Sequence, residues 1–178
     1  HMMVKSYRES YGMFACNGIL FNHESPRRGL HFVTRKITAA VACIVNKVSA
    51  PPLDELGRPL VVDGKLKLGN LDAWRDWGYA KEYVEAMYLM LQNSAPKDYV
   101  IGTNTAYTIR DACRIAFEHV GLDWQRYVLS DQQLMRPTEI TALKGDYSQA
   151  RKDMGWAPRV SFAELIKIMV DADLKRFR

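Results

Sequence analysis

Short apolar runs alternate with longer amphipathic segments along this chain, and that pattern predicts both strands and helices. Residues 13–21 form a short, mostly apolar run after Gly12 and before a polar loop, which predicts a buried strand. Before this run, residues 3–11 predict the end of a helix that Gly12 closes. Beyond the loop, apolar residues at helical spacing predict a helix over residues 32–46.

A third helix is predicted over residues 80–92, where the amphipathic pattern is strong. Its apolar stripe consists of Val84, Met87, Tyr88 and Leu91. A stripe of this kind belongs to the core of a protein far more often than to a cofactor site. We therefore expect these four side chains to be buried.

The second half of the chain carries local signals for helix starts. Thr108 with Asp111, and Ser161 with Glu164, have the spacing of a capping box. A short helix is also predicted over residues 146–154. Short apolar or alternating runs predict three further strands, at residues 65–68, 99–101 and 127–129. This order of elements predicts an α/β fold with a mostly helical C-terminal lobe.

Residues 48–64 interrupt this order of strands and helices. They contain Pro51-Pro52, Gly57-Arg58-Pro59 and Asp63-Gly64, which predict a loop or a short hairpin with Pro and Gly turns. We assign this segment no function.

Composition and charge narrow the class of protein. A chain of 178 residues with 48% hydrophobic and 25% charged residues is typical of one soluble domain. No apolar run approaches the roughly 18 residues of a membrane helix, and no signal peptide is visible, so we expect a cytoplasmic protein. A net charge of +5 allows an anionic ligand, but no basic stripe indicates nucleic acid. The three cysteines, Cys16, Cys43 and Cys113, have no metal-binding or redox spacing, so we expect reduced thiols and no metal site.

The candidate chemistry begins where the first apolar strand ends. Residues 22–29 offer an amide, an imidazole, a carboxylate, a hydroxyl and two guanidinium groups. Ligands of open α/β sheets bind outside the carboxyl ends of the strands, so this stretch is a candidate wall of an anion-binding crevice. The alternative is a solvated loop with ordinary surface charges.

Arg75 lies between Trp74 and Trp77 in the sequence. Aromatic rings can hold a guanidinium group flat, so that it presents two donors to a phosphate. The alternative is an ion pair between Arg75 and the adjacent Asp76.

Two further segments offer groups for an anion. Residues 34–36 stand in the first turn of the second predicted helix, where backbone amides attract anions, and they add an arginine and a lysine. Residues 136–139 place Arg136 and Glu139 on either side of a proline that restricts the backbone. Arg136 can pair with a phosphate, and Glu139 can accept from a ribose or a base. The alternatives are surface charge and a salt-bridged turn.

These stretches also carry a resemblance to a known family. Residues 7–14 and 17–29 resemble the GDP-mannose 4,6-dehydratases, which are extended short-chain dehydrogenases. The likeness resumes in four later segments, at residues 32–37, 68–92, 136–139 and 155–156. It implies a partial Rossmann-type fold with a helical substrate-binding lobe.

The resemblance also implies a reaction. Enzymes of this family use NADP to oxidise GDP-mannose at C4, eliminate water across C5–C6, and return the hydride to C6. Their product, GDP-4-keto-6-deoxymannose, leads to GDP-fucose and other deoxy sugars.

The catalytic machinery of that family is not in this sequence. A Gly-rich phosphate turn and a Y-x-x-x-K motif would precede residue 1, and Tyr79 with Lys81 has the wrong spacing. We therefore expect residues 1–178 to be a single C-terminal substrate-binding region without the N-terminal NADP-binding half. We assign no catalytic residue and expect the chain to be inactive alone.

The resemblance assigns binding roles to eight positions. The residues that it matches to NADP contacts are His23 and Arg28. The residues that it matches to contacts with the GDP-sugar are Asn22, Val33, Lys36, Arg75, Arg136 and Glu139. Leu30-His31, Trp74 and the 48–64 insertion depart from the family pattern beside these positions, which leaves the preferred substrate open.

Two other functions remain open from the sequence. The chain can be part of another nucleotide-sugar epimerase or reductase, or a non-catalytic interaction fragment. In either case the first strand would lack its neighbours in a parallel sheet, and an unpaired apolar edge favours self-association. We therefore expect a homo-oligomer.

Overall fold

The computed structural model describes residues 1–54, 56–135 and 142–178. Its helices are α1 (Met2–Tyr11), α2 (Val33–Val45), α3 (Ala80–Met90), α4 (Ile109–Glu118), α5 (Ser148–Met154) and α6 (Phe162–Arg176). Its strands are β1 (Gly18–Leu20), β2 (Asn22–Glu24), β3 (Val61–Val62), β4 (Lys65–Leu68), β5 (Trp74–Arg75), β6 (Trp77–Tyr79), β7 (Tyr99–Ile101), β8 (Tyr107–Thr108) and β9 (Val128–Ser130).

The strand that leads into the candidate loop changes its partner halfway. β1 pairs in parallel with β7, and β2 pairs in parallel with β6. Between them the amide of Phe21 donates to the Ile101 carbonyl at 2.9 Å. The prediction of a buried strand over residues 13–21 is therefore wrong in extent and in burial, since the strand begins at Gly18 and Ile19 is 46% exposed. Among the described strands β1 is bonded only to β7, so its other edge is uncovered.

A three-stranded sheet carries the basic strand β4 next to residues 48–64. β4 lies between β3, which is antiparallel to it, and β9, which is parallel. Leu66 and Leu68 are buried in the core, so the alternation of a strand turns Lys65 and Lys67 to the other face. The predicted hairpin is confirmed here, because Asp63-Gly64 joins β3 to β4 with φ angles of 51° and 71°. Positive φ at both positions is what a tight two-residue hairpin turn requires.

The main core lies between α2, α4 and α6 and the β3–β4–β9 sheet. In α2 every residue from Thr34 to Cys43 is buried, and it packs against both other helices. Ile37 and Val41 from α2 meet Phe117 from α4 and Ile166 from α6 in one cluster. A smaller cluster joins α3, α5 and β7.

Helix α3 buries a different face from the one that its sequence pattern predicts. Glu82, Tyr83, Ala86 and Met90 point inward, whereas the stripe of Val84, Met87, Tyr88 and Leu91 is between 41% and 64% exposed. The helix follows β6 directly, so the strand sets its orientation. Tyr83 then packs over Gly78, where a Cβ atom would lie 2.3 Å from the tyrosine ring. The expectation that this stripe is core was wrong.

Both predicted capping boxes are present. At the start of α4, Thr108 accepts from the amide of Asp111, whose carboxylate accepts from the amide of Thr108, each at 3.0 Å. Ser161 and Glu164 make the same reciprocal bonds at the start of α6. Each bond satisfies an amide that the helix leaves unpaired, which explains why these starts could be predicted locally.

Three properties of the described residues bear on function. None of their helices combines the length and the apolar character that a bilayer crossing needs. Within the same residues, no group of three or more potential ligands could hold a metal ion. Cys16, Cys43 and Cys113 are free, and burial raises the pKa of Cys43 to about 11, so this thiol stays protonated.

Candidate functional site

A cavity of about 340 Å³ lies where β2, β5 and the start of α2 meet. Four residues that the sequence assigns to the substrate line it together: Asn22, Val33, Lys36 and Arg75. They come from three separate parts of the chain, and the fold brings them to one place. Asn22 opens β2, Val33 and Lys36 stand in the first turn of α2, and Arg75 ends β5.

The cavity suits an anion with an apolar part. Lys36, Lys67 and Arg75 supply positive charge, and the described lining residues include no carboxylate. Phe32, Trp77 and other apolar side chains form the rest of the wall. Pairing a phosphate with arginine or lysine in a partly dry cleft gives strong, charge-assisted hydrogen bonds.

Arg75 does not pair with Asp76, so that alternative is excluded. Asp76 is fully buried and accepts from the amides of Thr103, Asn104 and Gly145 at 2.9–3.1 Å. The hydroxyl of Thr103 donates to the same carboxylate at 2.7 Å. Asp76 therefore anchors two loops, and Arg75 points to the cavity, with its Nη1 atom donating to the Trp74 carbonyl at 2.7 Å.

The two tryptophans around Arg75 have different surroundings. Trp77 is buried and stacks on Phe162, with ring centroids 5.2 Å apart, whereas Trp74 is half exposed. Trp77 lines the cavity from the first position of β6, two residues after Arg75. The expectation that Arg75 is held flat between two rings stays a prediction.

Arg35 is not part of the anion site, which corrects the expectation for the first turn of α2. It is buried, and its Nε and Nη2 atoms donate to Asp173 on α6 at 2.6–3.1 Å. Its Nη1 atom donates to the carbonyls of Pro26 and Arg28 at 3.0 and 2.7 Å. Arg35 therefore ties the candidate loop to the last helix.

The two residues expected to touch NADP lie outside the cavity. His23 holds the Phe21 carbonyl 2.9 Å from its Nδ1 atom and packs its ring on Tyr83, with centroids 5.3 Å apart. Arg28 lies behind the cavity wall, with its guanidinium carbon 3.4 Å from the ring centre of Phe32. The structure thus separates the residues expected at the cofactor from those expected at the substrate.

Glu24 fixes Arg28, a role that the sequence analysis did not assign to it. Its carboxylate is buried, accepts from the Thr34 hydroxyl at 2.6 Å, and lies 3.2 Å from the Nε atom of Arg28. Burial raises the pKa of Glu24, although Thr34 and Arg28 act in the opposite direction. Its position inside residues 22–29 was the only signal available.

Several lining residues were missed by the sequence analysis. Lys67, Asn70, His31 and Leu134 all face the cavity. The alternating pattern of β4 could have identified Lys67, and the Gly69-Asn70 turn could have identified Asn70. At Gly69 a Cβ atom would lie 2.4 Å from the Leu134 carbonyl oxygen, so only glycine allows this wall to close.

Two of the expected substrate residues, Arg136 and Glu139, lie outside the described residues. The chain on either side of them reaches the cavity region. Leu134 lines the cavity, and Ala142 forms a parallel bridge with Trp74, the neighbour of Arg75.

The model of the GDP-mannose 4,6-dehydratase family matches residues 1–169. The chain belongs to this family. It is 50% identical to GDP-mannose 4,6 dehydratase 1 of Arabidopsis thaliana over 176 residues, which cover 98% of this chain and 45% of that protein. It is 43% identical to the human GDP-mannose 4,6 dehydratase over 195 aligned residues, which cover 100% of this chain and 49% of that one. The chain therefore spans about half the length of the relatives that it matches.

Solved structures share the fold of this chain at low sequence identity. RMD from Pseudomonas aeruginosa, solved with NADPH, superposes with a TM-score of 0.83 at 15% identity. The match covers 98% of this chain and 53% of RMD. The UDP-glucose 4-epimerase of Thermotoga maritima, solved with UDP-glucose, gives a TM-score of 0.79 at 19% identity, covering 99% and 51%. The expected α/β fold of partial Rossmann type is thereby confirmed.

Proposed function

We propose that the cavity binds the nucleotide diphosphate of a GDP-sugar, and that the chain is the substrate-binding part of a GDP-mannose 4,6-dehydratase. The observation that carries this proposal is the meeting of Asn22, Val33, Lys36 and Arg75 on one cavity. The lysines and the arginine there complement a diphosphate. Relatives named GDP-mannose 4,6 dehydratase make GDP-mannose the expected ligand.

Arg136 and Glu139 are proposed to complete the same site. The flanks of their segment support this, since Leu134 and the Ala142–Trp74 bridge lie beside Arg75. An arginine there would add a second fork for the diphosphate, and a glutamate would accept from ribose hydroxyls.

A complete NADP site does not fit the described residues alone. Of the two residues proposed to contact NADP, His23 packs on Tyr83, and Arg28 is already held by Glu24 and Phe32. The described lining of the cavity also contains no tyrosine that could act as a base. We therefore propose that His23 and Arg28 contact the cofactor only when a dinucleotide-binding half is present, and that the chain alone has no dehydratase activity.

The proposed partner is a dinucleotide-binding half, which would dock where α1 and β1 expose apolar surface. No residue of α1 is buried, and the uncovered edge of β1 lies next to it in the sequence. The exposed apolar side chains there are Met2, Met3, Tyr7, Tyr11, Met13, Phe14 and Ile19. The free thiols favour a reducing compartment, so we further propose a cytoplasmic location.

Calorimetric titration of the chain with GDP-mannose, GDP and NADP tests the binding proposal. We expect GDP and GDP-mannose to bind and NADP to bind more weakly. Arg75→Gln and Lys36→Gln should each weaken GDP binding by about tenfold, the effect of losing one charge-assisted contact. Arg114→Gln is the matched control, because Arg114 lies in an exposed pair with Glu118 and does not line the cavity. Absence of GDP binding in the unchanged chain would contradict the proposal.

A chimera tests the dehydratase part. The N-terminal half of the Arabidopsis thaliana dehydratase would be fused ahead of this chain, and conversion of GDP-mannose to its 4-keto product would be measured. We expect product from the chimera and none from the chain alone. A folded chimera that binds GDP-mannose without turning it over would favour the non-catalytic alternative. Isomerised or reduced sugar instead of the 4-keto product would favour an epimerase or a reductase.

A further inference from the structure

A second, smaller cavity lies beside the candidate pocket, and the inserted hairpin segment forms one of its walls. Its volume is about 80 Å³, less than a quarter of the larger cavity. Lys36 and Lys67 line both cavities, whereas Arg58 and Lys65 line only the smaller one. We propose that this smaller cavity is an oxyanion subsite that takes one phosphate group next to the nucleotide pocket.

The described lining of the smaller cavity holds four cationic side chains and one carboxylate. That carboxylate, Asp54, is committed to the hairpin itself. It accepts from the amides of Leu56 and Arg58, each at 2.9 Å, and from the Nε atom of Arg58 at 3.0 Å. Burial works against the charged form of Asp54, but these hydrogen bonds outweigh it and hold its pKa below the ordinary value. Asp54 therefore serves to fix Arg58. A second carboxylate, Asp131, lies outside the lining, 4.0 Å from the ammonium group of Lys67. Among the described side chains, four cations thus stand against two carboxylates.

The hairpin and β4 aim donors at the same space from two sides. Asp54 holds the Nε and Nη2 side of the Arg58 guanidinium, which leaves the Nη1 atom outside that pair. Lys65 and Lys67 share one face of β4 because Leu66 and Leu68 occupy the other. The ammonium group of Lys65 donates to the Arg126 carbonyl, an uncharged partner, so its charge is not neutralised there. Donors without acceptors favour a fully ionised oxyanion over a sugar or a base.

The shared lysines couple the two cavities. An anion in the smaller cavity lowers the positive potential that Lys36 and Lys67 present to the larger one. Phosphate and nucleotide diphosphate should therefore weaken each other's binding, and by the same factor in both directions. The phosphate group can be free inorganic phosphate or part of the nucleotide that occupies the larger cavity, and the experiment separates these sources.

The first arm is calorimetric titration with inorganic phosphate at constant ionic strength in chloride. We expect one phosphate per chain, with binding weakened at least about tenfold in Arg58→Gln and in Lys65→Gln. Arg114→Gln is the control, since it removes an arginine from an exposed i,i+4 ion pair that lines neither cavity. Equal binding by all four proteins, or no binding by the unchanged chain, would overturn the subsite.

The second arm repeats the GDP titration at increasing phosphate concentration. Free phosphate in a separate subsite predicts that the Kd for GDP rises to a plateau. A rise without limit would mean that the nucleotide's own phosphate reaches the subsite. No change in the Kd would overturn the proposal. If the chain binds GDP but not phosphate, the subsite is refuted and the proposed function stands. If the chain binds phosphate but not GDP, the subsite stands and the proposed function is refuted.

Discussion

Two regions of this chain treat their apolar surface in opposite ways. In the layer of α2, α4 and α6, apolar residues at helical spacing are buried against one another, and ten consecutive residues of α2, from Thr34 to Cys43, have no exposed member. In the region of α1, β1 and α3, apolar residues at the same spacing remain in contact with solvent. An apolar stripe therefore does not by itself show that a helix face is buried within the described chain.

The two regions also differ in how polar groups hold them together. The helical layer contains a buried ion pair between Arg35 and Asp173. The carboxylate of Asp173 also accepts a hydrogen bond from the Thr38 hydroxyl at 2.7 Å. In the second region α1 is held by a partly exposed pair, in which Arg8 donates to Asp98 at 2.8 and 3.1 Å. A buried pair is expected to matter more when one member is removed, because the remaining charge has no water to replace its partner.

The largest effect is expected for Arg35→Ala. This change leaves the buried Asp173 with Arg176, 3.7 Å away, as its remaining cation among the described residues, and removes the donor to the Pro26 and Arg28 carbonyls. We expect the free energy of unfolding to fall by about 3–5 kcal/mol. Urea denaturation followed by circular dichroism measures this, with Arg114→Ala, in an exposed pair, expected to change it by less than about 1 kcal/mol. If Arg35→Ala lowers the free energy of unfolding as little as Arg114→Ala does, the buried pair stabilises the fold no more than an exposed pair.

A medium effect with a pH signature is expected for Asp98→Asn. The hydrogen bond from Arg8 is the largest of several causes that lower the pKa of Asp98 from 3.8 to about 2. A lowered pKa in the folded state means that the stabilisation is complete above about pH 4 and is lost as the pH falls towards 2. We expect Asp98→Asn to lose about 1 kcal/mol at pH 7.

The comparison of urea midpoints at pH 7 and near pH 2.5 checks this prediction. The gap between Asp98→Asn and the unchanged chain should narrow at the lower pH, where the unchanged chain also loses the charge. A gap of constant size would show that the Arg8–Asp98 pair does not stabilise the fold through its charge.

The smallest effect on stability is expected on the exposed face of α3. Replacing Val84 and Leu91 together by Ser should change the free energy of unfolding by less than about 1 kcal/mol, because both are more than half exposed. Met90→Ser, on the buried face of the same helix, is the contrast and should cost about 2–5 kcal/mol.

The double change of Val84 and Leu91 to Ser also tests self-association. We expect light scattering at micromolar concentration to show oligomers of the unchanged chain, and the Val84/Leu91 variant to shift towards the monomer. If the unchanged chain is sharply monomeric, the argument that these exposed apolar faces drive self-association fails.

What the sequence could predict was mostly local. The capping boxes at Thr108 and Ser161 depend on residues three positions apart, and both were correct. Strands β5 and β6, of two and three residues, were missed because they exist only through distant partners. The pairing of Arg35 with Asp173 joins residues 138 positions apart, which no local pattern contains.

In the candidate site, too, some residues could be predicted from the sequence and others depend on long-range contacts. Asn22, Val33, Lys36 and Arg75 were identified through a family resemblance, and the fold places them on one cavity. The chemistry of their residue types alone left surface charge as an equal alternative. The role of Asp76 as an anchor for two loops was missed because its donors are backbone amides, and every residue except proline has one.

The change of partner between β1 and β2 makes the register of the pocket strand unusually secure. A shift of one residue would break the pairing with β7 and with β6 at once, since the two ladders follow each other in a single run. Such a slip would also exchange the sides of Asn22, which lines the cavity, and His23, which packs on Tyr83. Short strands are prone to slippage, but here the side that faces the cavity and the side that faces Tyr83 cannot be interchanged without losing both ladders.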